Sequence, residues 1–363
     1  MKYSRRQFIS TISAGAALLA LPSSSLFSNI NFNKDEKKLG IALVGLGNYS
    51  TYQLAPALQE TKYCYLAGVV TGTPEKADKW KKQYSIPDKN IYNYSNFDEI
   101  SKNDSIDVIY VVLPNSMHHE FVLRAAKAGK HVICEKPMAV SVKESEEMIE
   151  VCKNTKVRLF VGYRLHSEPY ARAAMNFRNK INNKIRLIES GFGFPIGDPA
   201  QWRLKRSLSG GGAIMDLGIY AIQSARYSVG KEPISVIAQE YKTDNIKFKE
   251  VDETVFWQME FPDGELSNST ASYSSQVNRL YISAGRNWLE LNPAFSYRGI
   301  KGNTNQGEII LPDINQQAAQ MEDFSKCVLE NIPSDADGEE GLKDMKVIEA
   351  IYRSIKTGKK VSV

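Results

Sequence analysis

Cysteine and histidine are scarce, with four of each in 363 residues. So few thiols exclude a disulfide framework as the basis of the fold. Cys64 and Cys134 fall on predicted inner strands, Cys152 and Cys327 on predicted helices, and no pair has metal-ligand spacing, so all four read as buried free thiols. His118 and His119 are adjacent, yet neighbours on a helix diverge and no third ligand stands nearby, so no metal site is expected. Charge of one sign is also lacking: 46 Lys and Arg stand against 41 Asp and Glu, a net +5 scattered along the chain without a basic stripe. That pattern excludes nucleic acid as a partner but leaves room for an anionic phosphate ligand. The apolar run Ile12 to Leu21 is too short for a stable membrane span. Neither a repeat nor a low-complexity tract occurs.

What is present is an ordinary globular composition, 42% hydrophobic and 24% charged, long enough for two domains. Residues 1–30 read as an export signal: a basic start (Lys2, Arg5, Arg6), the apolar run, then small and serine-rich residues. Within it, Ser4-Arg5-Arg6-Gln7-Phe8-Ile9 resembles the twin-arginine signal, which exports folded proteins and implies a periplasmic destination. A general secretory signal that happens to hold two arginines is the alternative.

From Leu39, short apolar runs alternate with amphipathic helices, as a parallel sheet requires. Strands are predicted at Gly40 to Val44, Tyr63 to Thr71, Asp107 to Leu113, His131 to Cys134 and Val157 to Tyr163. Thr73-Pro74-Glu75 and the capping box Ser141 with Glu144 mark helix starts, and Pro56 should kink the helix before it. Beyond about residue 160 the texture changes. Ile234 to Tyr241, Glu253 to Phe261, Glu265 to Ser274 and Leu280 to Leu291 read as antiparallel strands, and helices are expected near Asn315 to Glu330 and Glu339 to Thr357. The expected fold is therefore α/β: a Rossmann dinucleotide-binding domain over 31–160, then an α+β domain over 161–363 with a large, mainly antiparallel open sheet.

Gly45-Leu46-Gly47-Asn48-Tyr49 follows the first strand and opens a helix, the context in which Gly-x-Gly cradles a pyrophosphate. Ser50 occupies the third fingerprint position in place of glycine, which should loosen helix-strand packing. An NAD site normally places an acid after the second strand; this chain has Thr71-Gly72-Thr73 and then Lys76. Hydroxyls, helix-start N–H groups and an ammonium suit a 2′-phosphate, so NADP is expected over NAD.

Glu135-Lys136-Pro137 follows the strand ending at Cys134, on the ligand-facing edge of such a sheet. Downstream, Gly210-Gly211-Gly212 leads into a helix carrying Asp216 and Tyr220, four apart and so on one face. These motifs, with Leu113-Pro114-Asn115-Ser116, His118, Gly162-Tyr163-Arg164, Gln201-Trp202-Arg203, Arg226-Tyr227 and Glu339-Glu340-Gly341, occur in an order that resembles the Gfo/Idh/MocA oxidoreductase family. The likeness is greatest to its glucose-fructose oxidoreductase subgroup, since many other members carry histidine where Tyr220 stands.

The resemblance implies hydride transfer between a sugar carbon and nicotinamide C4, with Lys136 and Tyr220 beside the reacting oxygen. It also implies that Leu113, Asn115, His118, Glu135, Lys136, Arg164, Trp202 and Arg203 line the cofactor. Alcohol oxidation needs a base, and a nearby ammonium helps a tyrosine, with its ordinary pKa of about 10, to serve as one. Tyr220 is thus assigned as acid/base, Lys136 as its electrostatic partner and Asp216 as an acceptor of a sugar hydroxyl. The structural alternatives are a buried helix tyrosine, a surface lysine and an acid favoured by the helix dipole. Because an exported enzyme lacks a supply of free NADP, the cofactor is expected to stay bound while one sugar, an aldose oxidised to its lactone, reduces it and a second, a ketose reduced to a polyol, reoxidises it. Other sugar pairs, simple dehydrogenation, redox-neutral glycoside cleavage and sugar sensing stay open. The subgroup's long N-terminal arm has only the stretch Ile30 to Lys38 as its counterpart, so the expected homo-oligomer is a dimer through the C-terminal sheet, with a tetramer as alternative.

Overall fold

The computed structural model describes residues 37–363, and the export signal lies outside the described residues. Six parallel strands form the first sheet: β1 (Leu39–Val44), β2 (Cys64–Val70), β3 (Ile91–Tyr92), β4 (Val108–Val111), β5 (His131–Cys134) and β6 (Leu159–Val161). Their order is β3-β2-β1-β4-β5-β6, which reverses direction between β1 and β4. A doubly wound sheet binds its ligand at that switch point, beyond the carboxyl ends of the strands. All six residues of β1 are buried because helices cover both faces, and a period-2 pattern is accordingly absent from this strand. The helices α1 (Pro74–Tyr84), α2 (His118–Lys127) and α3 (Val142–Asn154) provide the crossovers. Ser141 caps α3 by accepting from the Glu144 N–H at 3.2 Å.

Pro56 was expected to kink the helix that follows the glycine turn; the helical run instead continues through it to Leu58, with a change of hydrogen-bond pattern just ahead of it. Pro56 has no N–H to give, and the turn ahead of it is a π segment, Ser50–Leu54, followed by the single α turn Ala55–Leu58.

After α4 (Pro169–Met175) the chain enters a nine-stranded sheet. Its strands are β7 (Leu187–Gly193), β8 (Ser235–Tyr241), β9 (Thr254–Glu260), β10 (Leu266–Ser272), β11 (Val277–Ala284), β12 (Asn287–Leu291), β13 (Gly302–Thr304), β14 (Gly307–Ile309) and β15 (Val361–Ser362). The order is β14-β13-β12-β11-β7-β10-β9-β8-β15, antiparallel throughout except where β10 runs parallel to β7. Two sequence readings are corrected here. Leu280 to Leu291 is not one strand: β11 and β12 pair as a hairpin with Ala284 opposite Asn287, and Gly285 takes a φ of +66° in the turn between them. The central strand β7 was not foreseen, because Leu187-Ile-Glu-Ser-Gly-Phe-Gly193 carries two glycines and little apolar alternation. A Cβ at Gly191 would sit 2.8 Å from Val277 Cγ2 and one at Gly193 2.6 Å from Ser275 O, so close approach of neighbouring chain demands the glycines.

One face of this sheet packs on α5 (Ile219–Val229) and the other is open, with Ile237, Tyr241, Phe256 and Leu266 exposed. Two final helices, α6 (Gln316–Leu329) and α7 (Gly338–Thr357), return to the first sheet. Phe324 of α6 stacks on Phe160 at 4.7 Å between ring centroids, and Phe160 bridges to Asp337 at the edge of β6. The division expected near residue 160 is therefore crossed again by the C-terminal chain. All four cysteines are buried and free. Among the described residues no helix is long and apolar enough to cross a membrane.

Candidate active site

The glycine turn stands at the end of β1, beside the switch point. Gly45 takes a φ of +94° and a Cβ there would lie 2.6 Å from Val112 O and 2.9 Å from Leu113 Cδ2, so only glycine fits. Gly47 and Asn48 are exposed, and a Cβ at Gly47 would meet nothing within 4 Å. The backbone is thus bare on the side from which a pyrophosphate would approach the helix start. Leu46 is buried in the core, whereas Tyr49 is half-buried and packs toward Tyr297 with 6.1 Å between rings. Ser50 corrects the expectation of looser packing: it is fully buried, and its hydroxyl donates to Gly45 O at 2.6 Å, so it closes the turn.

At the end of β2, Thr71 Oγ1 accepts from Thr73 N–H at 3.2 Å and shapes the Gly72 bend. Lys76 reaches back from the first turn of α1 to donate to Leu46 O at 3.2 Å, which sets an ammonium beside the glycine turn. Bare backbone, helix-start N–H groups and this cation fit a dinucleotide.

Two expected cofactor residues also have structural partners. His118 is fully buried, and its ring nitrogens lie 3.0 Å from Pro137 O and 2.9 Å from Leu113 O. Burial lowers its pKa. It ties the loop after β4 to the loop after β5 and has no ring atom left for a ligand. Asn115 is buried and donates to Ser209 O at 2.8 Å, anchoring the same loop to the turn before the glycine run.

Glu135 and Lys136 leave β5 at its carboxyl end. Tyr110 donates to Glu135 Oε1 at 2.6 Å while Gln320 of α6 donates to the Tyr110 oxygen at 2.8 Å. Burial raises the Glu135 pKa against these hydrogen bonds and Lys136. Gly162 leaves room opposite, since a Cβ there would fall 2.6 Å from Glu135 Oε1 and displace the carboxylate.

Lys136 Nζ donates to Asp216 O at 2.8 Å and to Asp216 Oδ1 at 3.1 Å, and it lies 4.9 Å from the Tyr220 ring centroid. Asp216 belongs to a second π segment, Ile214–Gly218, which runs directly into α5, where Tyr220 sits. Its other oxygen, Oδ2, accepts from Arg203 Nε at 3.0 Å and from the Tyr273 hydroxyl at 3.2 Å. Burial opposes its charge, but Arg203 and Lys136 outweigh burial and hold this carboxyl well below the ordinary range. Lys136 is likewise buried, yet Tyr220, Asp216 and Glu135 raise its pKa, so it remains an ammonium at neutral pH and is no base. With three protein donors already on Asp216, one acceptor position of its carboxylate is left for a sugar hydroxyl.

Around this centre Arg164 is buried, donating to Phe295 O at 2.6 Å and to Gln316, with its guanidinium 5.0 Å from the Tyr220 ring centroid and 4.6 Å from that of Tyr297. Its Nε has no hydrogen-bond partner among the described residues. The Arg203 guanidinium covers the Trp202 ring at 4.5 Å. Phe192 and Phe295 pack against the Tyr220 ring. His166, by contrast, packs between Tyr163 and Tyr227, and burial pulls it down to about 4, so it stays neutral.

Tyr273 and Tyr297 escaped the sequence reading. Tyr273 closes a strand pattern like any other aromatic, and Tyr297 lies in a loop without pattern. Burial raises both, Tyr297 to about 12, so both remain phenols, and that of Tyr273 donates to Asp216.

The sequence matches the model described as "Oxidoreductase family, NAD-binding Rossmann fold" over residues 39–163, the "GFO/IDH/MocA C-terminal domain" over 182–292 and "Oxidoreductase family, C-terminal alpha/beta domain" over 300–363. Among solved structures it is similar to an aldose-aldose oxidoreductase from Caulobacter crescentus complexed with glycerol, at 40% identity and a TM-score of 0.87, covering 90% of this chain and 100% of that one. It is 30% identical to a D-xylose 1-dehydrogenase [NADP(+)] of Haloarcula marismortui over 87% of this chain and 91% of that protein. A second D-xylose 1-dehydrogenase (NADP(+)), from Haloferax volcanii, is 26% identical over 88% and 98% respectively.

Proposed function

Since the chain belongs to the Gfo/Idh/MocA oxidoreductase family, we propose that it is an exported, NADP-dependent enzyme that moves hydride between two sugars. The observation that carries this reading is the meeting of Lys136 with Asp216 and the Tyr220 ring at the carboxyl edge of the dinucleotide-binding sheet.

Tyr220 takes the proton from the sugar hydroxyl at its phenolic oxygen and returns one to the second sugar's carbonyl oxygen. Lys136 stabilises negative charge on the phenol and on the reacting oxygen, and is held in place by both oxygen types of Asp216. Arg203 and Tyr273 keep Asp216 ionised and fixed. When bound, the nicotinamide supplies the acceptor and then the donor of hydride. Phe192 and Phe295 exclude water from the Tyr220 ring face.

Three further features support the finer reading. Thr71-Gly72-Thr73, without an acid, stands directly after β2, and Lys76 stands at the glycine turn, both of which suit a 2′-phosphate. The pair Arg5-Arg6 ahead of an apolar run suits export of a folded, loaded protein. The first sugar is an aldose oxidised at C1 to its lactone; the 40% identical aldose-aldose oxidoreductase favours a second aldose as acceptor, and a ketose reduced to a polyol is the second reading. The open sheet face bearing Ile237, Phe256 and Leu266 suits a dimer of two copies. A monomer by sedimentation equilibrium would refute that assembly.

The deciding experiment purifies the protein from a periplasmic extract, denatures it to identify the released nucleotide, and screens aldoses and ketoses in pairs, starting with D-xylose, for reduction and reoxidation of the native protein. Released NADP and turnover with two sugars but no added cofactor are expected. Protein confined to the cytoplasm refutes export; NAD in the released fraction refutes the cofactor assignment; turnover only with added cofactor refutes a retained one. Lys76→Ala should weaken NADP binding about tenfold, equivalent to about 1.4 kcal/mol, and leave NAD binding unchanged, read by nucleotide fluorescence titration. Equal affinity of both proteins for NADP would remove Lys76 from the site.

A further inference from the structure

The run Gly210-Gly211-Gly212 and the buried Asp252 have no part in the chemistry above, yet they meet. A helix start leaves its first N–H groups without intrahelical partners. Here a single residue from a distant loop receives three of them. Asp252 Oδ1 accepts from Gly212 N–H at 2.7 Å, Asp252 Oδ2 from Ile214 N–H at 2.8 Å, and the Asp252 carbonyl from Ala213 N–H at 3.2 Å. Tyr352 of α7 then donates its hydroxyl to Asp252 Oδ1 at 2.7 Å, fixing the carboxylate from behind. Asp252 is 3% exposed. Burial and the adjacent Asp252 charge raise the Tyr352 phenol well above its ordinary value, so it remains a donor.

The glycines are what allow this closure. A Cβ at residue 211 would lie 2.0 Å from the Tyr352 oxygen, and one at residue 212 would lie 2.0 Å from Asp252 O. The clamped turn is the one that carries Asp216, whose N–H donates to Gly212 O at 3.2 Å. Both acceptors of Lys136, the Asp216 carbonyl and Oδ1, belong to that turn, and Tyr220 follows one turn later. A shift of the helix start therefore moves every contact that Lys136 makes.

We infer that Asp252, held by Tyr352, is a positioning residue for hydride transfer: it touches neither sugar nor cofactor, and sets the helix start so that Asp216 and Tyr220 meet Lys136. This rests on the reading of Lys136, Asp216 and Tyr220 as the reacting centre. An asparagine at 252 has one acceptor oxygen where the site presents two N–H groups and a hydroxyl, so one helix-start N–H would face an amide NH2 instead. A misplacement of about 1 Å in a catalytic site can cost about 10²-fold in rate.

The test uses full-length Asp252→Asn and Tyr352→Phe, with Tyr220→Phe alongside, measured with whichever aldose reduces the protein fastest and with NADP as the nucleotide probe. For Asp252→Asn a fall in kcat of about 10- to 100-fold is expected, and for Tyr352→Phe a smaller fall, with sugar KM and NADP Kd unchanged in both. Folded variants with unchanged kcat overturn the inference. So does a loss of activity that only tracks the folded fraction seen by circular dichroism, or one expressed in KM rather than kcat. Should Asp252→Asn fail to fold, Tyr352→Phe, which keeps the ring, decides alone. If Tyr220→Phe turns over normally, the reading of the centre fails and the clamp with it; if it is inactive while both clamp variants are normal, only the clamp fails.

Discussion

Tyr220→Phe is expected to lower kcat by about 10²- to 10⁴-fold, the range general acid-base catalysis supplies, while NADP still binds. The substitution removes one oxygen and leaves the ring, which packs against Phe192 and Phe295 with centroids 5.4 and 6.0 Å away and lies under the Lys136 and Arg164 cations. Folding and cofactor affinity should therefore be close to wild type. No neighbour can take over as base: Lys136 stays protonated, Arg164 is a cation, and Tyr273 and Tyr297 are pushed toward the neutral phenol by burial. His166 is neutral but packs between Tyr163 and Tyr227. Stopped-flow absorbance of nicotinamide reduction, with nucleotide titration on the same sample, separates the two effects. A kcat within threefold of wild type would remove Tyr220 from acid-base work.

The largest effect on stability is expected from Arg226→Met. Arg226 lies on the same helix as Tyr220 with its side chain 1% exposed, and it joins three carboxylates: Glu232 at 2.6 Å, Glu340 at 2.7 Å and Asp344 at 2.5 Å. Asp344 is fully buried and also accepts from Tyr163 and from Gln223, each at 2.6 Å. Removing one partner of such a buried pair strands the other, at a cost of about 3–5 kcal/mol. Urea unfolding should show that loss, and a loss under 1 kcal/mol would mean the cluster is not what locks α5 to α7.

The pH dependence gives a second check. Burial pushes the Asp344 carboxyl up to about 6 against the pull of Arg226. An unfolded aspartate titrates near pH 3.9, the ordinary value for its side chain, to about half a unit. Between those values the native state holds a proton that the unfolded state has released, so Asp344's contribution to stability falls as pH rises through that window. Without the guanidinium the folded-state value moves higher and the window widens upward. The stability gap between wild type and Arg226→Met should thus be smaller at pH 5 than at pH 8. A gap independent of pH would show that Asp344 does not titrate in it.

The first sheet was legible because buried parallel strands and capped helices leave local marks: the apolar run at Leu39, the proline at the start of α1, the Ser141 cap. The second sheet was only partly so. Strand β7 is held at the sheet's centre by neighbours, and its glycines are demanded by Val277 and Ser275, residues more than eighty positions away. At the site, Lys136, Asp216 and Tyr220 were identifiable by residue type and order. His118 and Asn115 carried the same kind of signal, yet backbone carbonyls occupy His118's ring nitrogens and one takes Asn115's amide N–H. Tyr273 and Asp252 gave none.

What the sequence by itself determined is the turn and its helix: Gly45 must be glycine wherever strand β1 ends in a left-handed residue against β4, and the spacing of Asp216 and Tyr220 puts them on one face of an α-helix. Only the tertiary structure decided which groups are free to act. Hydrogen-bonding capacity is finite, and a side chain is spent or available according to partners that arrive from elsewhere in the chain. Ser50 closes the glycine turn, His118 joins two loops, and Asp216 is left one open acceptor position by Lys136, Arg203 and Tyr273, three groups brought together from β5, the turn before the glycine run and the end of β10.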